Sequence, residues 1–432
     1  MNGGDTDAGA DAGQAAGSGG RERLWDSPGY AAWFTSDTAA AAGMAMRSLA
    51  VSMVGYAVSG STVWAGWLGT ASMVVQQTAS LFGGVFVDRH DRRRLIMANA
   101  IAGTVAWGMV AALLAAGILS FPVLMVVAVL ASGVNGFLGS ATDAMLRSII
   151  DVGAYPKARS LNEGRDATIS MLGGPAGGFL YGVSPWLPFL ASSLLYALSG
   201  AAASNIGTSL PPDTPGGEDH GSRGSFMHDL KEGWSWSSGK PTIVSILAAA
   251  SLLNFGVTGI QYAIQLHLVA EGVNATSIGL VSAGISLAML AGSLIAGRLA
   301  GRLHAGAAAC LSFAFVFACA VAVAWSDGYW TMLAANSLIG LPFPIINAML
   351  MGFIFAKSPA CMQGRISVTL TVPAQVLSMF CSATAGMLLP ALGFHGTACV
   401  FVSVLAAGAA VALGSPSIRH IPRASQWEHA AL

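Results

Sequence analysis

Charged residues are scarce in this sequence. Asp, Glu, Lys and Arg make up 9% of the chain, whereas 54% of its residues are hydrophobic. A soluble globular domain carries about 25% charged residues, so this composition excludes a soluble protein and indicates a membrane protein. The 20 basic and 20 acidic residues also balance, which argues against a nucleic-acid partner.

Several chemical motifs are missing as well. The few cysteines lie mostly inside apolar runs without paired spacing, so neither a disulfide framework nor a zinc site is predicted, and no cofactor is expected. No Walker A phosphate-binding sequence occurs, so the chain is not by itself an ATP-driven pump. A membrane-embedded enzyme would need several reactive groups together in the core. An enzyme or a non-transporting sensor is therefore only a remote alternative.

The sequence has long apolar runs in place of charge. Crossing a hydrocarbon core of roughly 30 Å takes about 20 helical residues, and twelve runs are long enough. Short gaps with Gly, Pro, Ser, Asp or Asn separate most of them, as helix ends require. We therefore predict an all-α membrane protein with twelve transmembrane helices, near residues 31–58, 62–87, 95–117, 121–142, 160–183, 186–208, 241–270, 275–297, 305–325, 329–353, 366–389 and 394–414.

A long polar interruption divides these runs into six and six. It predicts two pseudo-symmetric halves joined by a central loop, with a polar tail at each end. A shorter copy of the charged loop at residues 88–94 recurs at residues 297–302, which supports an internal duplication. The predicted units are a tail at 1–23, an N-terminal half at 24–208, the central loop at 209–240, a C-terminal half at 241–414 and a tail at 415–432.

The basic residues are distributed asymmetrically. Every Lys and Arg except Arg47 falls on one set of loops, tails and helix ends, and the opposite loops contain none. The positive-inside rule places the basic set in the cytoplasm. Residues 1–23 lack the central apolar stretch of a signal peptide, so we predict that they form a disordered tail. We expect a multi-pass protein of a bacterial plasma membrane with both termini cytoplasmic.

The loop between the second and third runs carries a recognisable pattern. Residues 83–95 read GGVFVDRHDRRRL, with Gly84, Asp88, Arg89, Arg92 and Arg93 at fixed spacing. This pattern resembles the signature loop of the major facilitator superfamily, and the twelve runs and the central loop extend that resemblance. Within the superfamily, residues 141–181 resemble the bacterial branch of macrolide-efflux and enterobactin-exporter proteins.

The resemblance implies that the charged loop gates a conformational change. Gly84 would let two helices approach closely, and Asp88 would face the positive end of the helix that begins near residue 365. Arg89 or Arg93 would pair with Asp143 at the end of the fourth run. The alternative is that the loop, including Arg92, only fixes the orientation of the chain in the membrane.

Two charged residues lie within the first run. Arg47 is about 21 Å beyond Trp33 along a helix, and an arginine at that depth faces either a transport pathway or a polar structural partner. Asp37 is either a proton-loading carboxylate or an interfacial residue beside Trp33 and Phe34. The two charges lie about 15 Å apart in height, so they cannot pair directly. They are candidates for coupling transport to a proton gradient.

Polar side chains form stripes on three later runs. Residues at helical spacing share one face of a helix, where they either line a substrate cavity or hold helices together by hydrogen bonds. Both interpretations remain open for each residue. The candidates are Asn254, Thr258, Gln261 and Gln265 in the seventh run, Asn336 and Asn347 in the tenth, and Thr371 and Gln375 in the eleventh.

The fifth run contains a Gly-Pro motif, Gly174, Pro175, Gly177 and Gly178. It resembles the motif of the superfamily's antiporters, and its glycines allow tight helix packing, so it favours export. The superfamily's drug antiporters often carry an arginine in the fourth run, where Ser132 stands here.

Together these features predict a secondary active transporter that exports hydrophobic or amphipathic small molecules, such as a drug-like compound or a siderophore, by alternating access. The expected partners are the lipid bilayer, a small-molecule substrate and a proton as coupling ion, and the expected state is a monomer. Nutrient uptake and lipid flipping by the same fold are the alternatives.

Overall fold

The computed structural model describes residues 24–27, 29–150, 154–207, 235, 238–299, 304–358, 375–423 and 426–427. Within these ranges every regular element is a helix. After a 3-10 turn at Leu24–Asp26, the first half contains seven helices: α1 Tyr30–Ser59, α2 Thr62–Asp88, α3 Arg92–Ala115, α4 Phe121–Leu138, α5 Ser140–Ile149, α6 Tyr155–Val183 and α7 Leu187–Ser204.

The second half is more interrupted. Its described helices are α8 Pro241–Ala270, α9 Ala275–Leu299, α10 Ala305–Ala324, α11 Tyr329–Ile339, α12 Phe343–Ile346, α13 Gly352–Lys357, α14 Cys381–Gly414 and α15 Pro416–Arg419, with a π-helical segment at Asn347–Met351. Helix α14 is broken at Gly393, where φ is 66°. Only glycine adopts that backbone conformation at little cost, so this residue sets the turn between two antiparallel segments.

Local sequence explains where many helices begin and end. Proline stands in the first turn of α4, α7 and α8, where its missing N–H costs no hydrogen bond. Gly60 ends α1 with a left-handed φ of 66°. Asp91 caps α3 by accepting hydrogen bonds from the backbone N–H groups of Arg93 and Arg94. These signals fix the short turns that bring consecutive helices side by side.

The predicted all-α membrane fold is confirmed. Nine stretches of the described chain are long and apolar enough to cross a membrane, and one of them, the 40-residue stretch Gln375–Gly414, contains the break at Gly393. Helices α2 and α6, of 27 and 29 residues, are also long enough to span. The proposed unit boundaries stay a prediction, and the central loop lies almost wholly outside the described residues.

The two halves meet mainly along two helix pairs. Helix α2 packs on α14, and α6 packs on α9. The largest hydrophobic core belongs to the second half, yet it includes Leu49, Met53 and Ala65 from α1 and α2. We call the end of the bundle with the turns at residues 59–61 and 271–274 the short-loop side, and the opposite end the charged-loop side.

A valine at Gly279 tests the packing between the halves. A Cβ there would lie 2.3 Å from the carbonyl oxygen of Gly174, whereas a Cβ at Gly297 of the same helix meets no atom within 4 Å. We expect Gly279→Val to lower the free energy of unfolding by roughly 1–3 kcal/mol, the usual cost of overpacking, and Gly297→Val to change it little. Thermal melting of both variants in detergent measures this, and equal melting temperatures would contradict the packing described.

Candidate functional site

Helices α2 and α14 touch backbone to backbone near the short-loop side. The hydroxyl of Thr62 donates a hydrogen bond to the carbonyl of Gly386 over 3.1 Å, and that of Thr70 accepts one from the N–H of Ala383 over 3.0 Å. A Cβ on Gly66 would lie 2.5 Å from the carbonyl oxygen of Ser382. Any larger residue at position 66 would force the two halves apart here.

The Gly-Pro motif of α6 contacts two different helices. On one face, a Cβ on Gly174 or Gly178 would lie 2.9 Å or 2.3 Å from backbone oxygens of α9. On another, Gly173 and Gly177 pack against Ala45 and Met46 of α1, with a Cβ on Gly177 only 2.0 Å from the Met46 carbonyl. The motif therefore ties α6 to its own half and to the other half at the same level.

These close contacts do not continue to the charged-loop side. A Cβ on Gly84, Gly164 or Gly297 would meet no atom within 4 Å. Among the described residues, the close backbone contacts between the halves therefore lie towards the short-loop side.

A pair of amides joins α2 to the other half further towards the charged-loop side. The side-chain amide of Gln77 donates a hydrogen bond to the side-chain oxygen of Gln375, and one turn nearer the short-loop side the Tyr262 hydroxyl lies 3.8 Å from the Met73 sulfur. Gln375 is exposed. Sequence reasoning selected Gln375 but missed Gln77, although two adjacent glutamines inside an apolar run were a signal.

The predicted stripe on α8 is half-exposed along its length. Asn254, Thr258, Gln261 and Gln265 all have intermediate exposure, in contrast to the buried residues between them. Asn254 donates a hydrogen bond to the carbonyl of Ala250 over 2.9 Å within the helix. The remaining predicted residue of the eleventh run, Thr371, lies outside the described residues.

The structure corrects the prediction that Asn336 and Asn347 share one face. Asn336 is fully buried, with neither amide atom hydrogen-bonded to a described residue, whereas Asn347 is exposed. The turn at residues 340–342 and the π-helical segment that begins at Asn347 interrupt the α-helical register. Spacing along an ideal helix therefore does not hold across this span, and π-helical turns often lie at functional sites.

Arg47 faces the interior of the first half. Its guanidinium lies 4.4 Å from the Trp107 ring centroid and 5.3 Å from that of Tyr196. It donates hydrogen bonds to the hydroxyls of Ser192 at 3.2 Å and Tyr196 at 3.4 Å, and it is 8% exposed. No described carboxylate pairs with it. This geometry is that of a cation held by rings and hydroxyls, which favours the structural alternative, and its role in coupling stays a prediction.

Asp37 pairs with Arg165, which the sequence analysis assigned to a loop or a helix end. Arg165 of α6 donates hydrogen bonds to Asp37, Thr38 and Asp166, and its guanidinium lies 5.2 Å from the Phe34 ring. The side chains of Arg165 and Asp37 are 10% and 19% exposed. Arg165 lies ten residues into α6 and is mostly buried, so it stands inside the bundle and not on a loop. The ion pair joins α1 to α6.

The charged loop is arranged differently from the prediction. The close approach beside it is made by Gly83, whose Cβ would lie 2.1 Å from the Phe137 carbonyl oxygen, and not by Gly84. Arg93 donates to the carbonyl of Ser204, and Arg89 is exposed. Arg92 lies in the first turn of α3, and the Asp88 side chain lies outside the described set.

Asp143 does not pair with Arg89 or Arg93. Its carboxylate lies 3.3 Å from the Arg159 guanidinium, which also lies 3.6 Å from Glu163. A break at Gly139 separates α4 from α5 and so places Asp143 beside the start of α6. These side chains are at least half-exposed, and surface pairs of this kind contribute at most about 1 kcal/mol.

The sequence and the fold are similar to those of known transport proteins. A family model described as Major Facilitator Superfamily matches residues 34–368. No curated protein matches the sequence. A solved bacterial homologue of the iron transporter ferroportin, in the inward-facing state, is similar in fold at 15% identity and a TM-score of 0.62, covering 88% of this chain and 98% of its own.

Two further solved structures are similar in fold. A bacterial metal transporter is 13% identical, with a TM-score of 0.63 over 93% of this chain and 98% of its own. A bacterial homologue of the lysosomal transporter Spinster, in an inward-facing and unoccupied conformation, is 12% identical, with a TM-score of 0.68 over 90% and 96%. At these identities the likeness concerns the fold alone.

The amide pair predicts a specific crosslink. In a variant whose native cysteines are replaced by alanine, we expect Gln77→Cys with Gln375→Cys to be joined by a short thiol-reactive crosslinker. Gln76→Cys with Gln375→Cys is the matched control, because the Gln76 amide donates to Asn135 within its own half at 3.3 Å. Crosslinking measured by gel mobility should favour the Gln77 pair, and equal yields would contradict the contact.

Proposed function

Since the chain belongs to the major facilitator superfamily, we propose that it is a secondary active transporter that exports hydrophobic or amphipathic small molecules by alternating access. The superfamily fold supports transport, and the sequence resemblance to the macrolide-efflux and enterobactin-exporter branch supports the direction. A drug-like compound or a siderophore is the proposed class of substrate. The protein acts as a monomer in a bacterial plasma membrane, with both termini in the cytoplasm.

The observation that carries this proposal is the one-sided closure of the halves. Glycine backbones of α2, α6, α9 and α14 touch towards the short-loop side, while Gly164 and Gly297 stand open towards the charged-loop side. A transporter with a central site must close one side while the other is open. The closed contacts consist largely of small residues, with Leu49, Met53 and Ala65 packed against the core of the second half, so few large side chains must repack when they separate.

Partly exposed polar and apolar surfaces along the bundle suit an amphipathic substrate. The half-exposed stripe on α8 offers amide and hydroxyl groups, and Met44 on α1 offers a flexible apolar side chain that is 37% exposed. Methionine adapts to irregular apolar ligands. The Gln77 and Gln375 amides bond to each other here, and a substrate with hydrogen-bonding groups would replace that bond as it binds.

Coupling to a proton gradient rests on Asp37. Its carboxylate is mostly buried and bonded to Arg165, so a proton on Asp37 would neutralise it and weaken its hold on that guanidinium. Because the pair joins α1 to α6, its release would loosen the helix that also contacts the other half. Asp88, Arg89, Arg92, Arg93 and Asp143 would gate on the charged-loop side, with Arg159 as the partner of Asp143 in this state.

Transport of a divalent metal is the second candidate. Two of the similar solved structures belong to metal transporters, one of them a homologue of an iron transporter. The carboxylate of Asp37 is a ligand type that such cations accept. Metal efflux therefore belongs in the same assay as the organic compounds.

Accumulation in cells tests the proposal. We expect cells that express the protein to retain less of a fluorescent amphipathic compound than empty cells, and we expect an uncoupler to abolish the difference. Asp37→Asn should remove most of the uncoupler-sensitive export, because the coupling carboxylate is lost. Asp327→Asn is the matched control, because that carboxylate is 94% exposed on the short-loop side.

Arg47→Lys separates coupling from structure in the same assay. Lysine is a point charge that cannot stack over Trp107 and reach two hydroxyls together, so this variant should melt at a lower temperature but keep uncoupler-sensitive export. Raised accumulation in cells with the native protein would reverse the direction of transport. Export of metal ions without export of any organic compound would support metal transport, the second candidate, instead.

A further inference from the structure

A groove runs along α6 near the charged-loop side, separate from the stripe on α8. Its volume is about 700 Å³, and its walls come from the 3-10 turn before α1 and from α6. Pockets that bind small ligands measure roughly 300–1,000 Å³. The residues used below are Leu24, Trp25, Lys157, Leu161, Gly164 and Thr168.

One wall of the groove is apolar and typical of a membrane interface. Trp25 is 54% exposed, and its ring packs edge-on against Tyr30 and Phe34 with centroids 5.3 Å apart. Leu161 on α6 is 39% exposed. Tryptophan is enriched where the hydrocarbon core meets the headgroups, so this wall lies at the level at which an amphiphile has both polar and apolar parts.

Of the two basic residues that line the groove, only one is available to bind a ligand. Two arginine or lysine residues line it, and Arg165 is already bonded to Asp37 and Asp166. Lys157 stands in the first turn of α6, is exposed, and pairs with no described residue. The groove therefore offers one available positive charge at its end nearest the charged loops.

The dimensions of the groove match one chain of an amphiphile. From Lys157 to Thr168, α6 rises about 16 Å. Gly164 lies midway, and a Cβ there would meet no atom within 4 Å, so space for a chain remains against the helix. Ten and fourteen residues further along α6, Gly174 and Gly178 contact the other half. The groove thus occupies the place where that contact ends.

We propose that this groove binds one anionic amphiphile, with its phosphate or carboxylate head on Lys157 and its apolar chain along Leu161, Gly164 and Trp25. A phospholipid of the surrounding leaflet and an acidic amphiphilic cargo share this chemistry. In both cases the chain lies beside the Asp37 and Arg165 pair. Occupancy requires neither a particular direction of transport nor a particular coupling ion.

Binding of phosphatidylglycerol to the purified full-length protein tests the site. Native mass spectrometry after delipidation should show one retained phosphatidylglycerol and less phosphatidylcholine. Lys157→Gln should weaken phosphatidylglycerol binding about fivefold, the effect of one basic residue at an anionic lipid surface. Gly164→Phe should fill the groove and reduce binding of both lipids. Lys240→Gln, which removes a lysine at the start of α8, is the matched control.

A second arm distinguishes a resident lipid from a cargo. In vesicles, a short-chain fluorescent phosphatidylglycerol that is moved across the membrane marks a cargo, and one that only raises transport of another compound marks a resident lipid. Both results support the groove, and lipid binding itself is measured independently of whether another compound is exported. The proposal would be overturned if phosphatidylglycerol bound equally to the native protein, to Lys157→Gln and to Lys240→Gln, and if Gly164→Phe folded and bound both lipids as the native protein does.

Discussion

The structure depends on the close approach of helix backbones at glycine. Where α6 meets α9, the backbones at Gly174 and Gly279 come so near that neither position has space for a Cβ. Inside a membrane, helices gain little from the hydrophobic effect against one another, so van der Waals packing at small residues supplies much of the attraction. Such contacts are strong only at short range. They therefore favour two discrete arrangements of the halves, closed or parted, over a gradual one.

The buried charges divide into two kinds with different consequences. Arg47 is held by Trp107, Tyr196 and Ser192 within one half. The contacts that stabilise its charge therefore do not depend on how the two halves are arranged. The pair of Asp37 and Arg165 joins two helices, one of which carries the contact with the second half. A proton can change the second arrangement and not the first. Among the described residues, that difference makes Asp37 the better candidate for coupling.

Much of the fold follows from the sequence because membrane spans need long apolar runs, and turn residues such as Pro and Gly mark their ends. The candidate site was less predictable. Periodicity assumes an unbroken helix, so the π-helical segment at Asn347 defeated the spacing argument. Arg165 was assigned to a loop or helix end with the other basic residues, because charged residues near a helix end resemble a loop, although it lies ten residues into α6. Gln77 was missed because its partner is 298 residues away in sequence.

The central claim is that the halves close on one side and part on the other, and that they exchange these states. The most direct measurement is double electron–electron resonance on two spin-label pairs in reconstituted protein without native cysteines. One pair, at Leu161 and Leu294, reports the charged-loop side, and the other, at Val183 and Glu271, reports the short-loop side. A proton gradient with substrate should shorten the first distance while it lengthens the second. Two distances that stay constant, or that change in the same direction, would contradict the account.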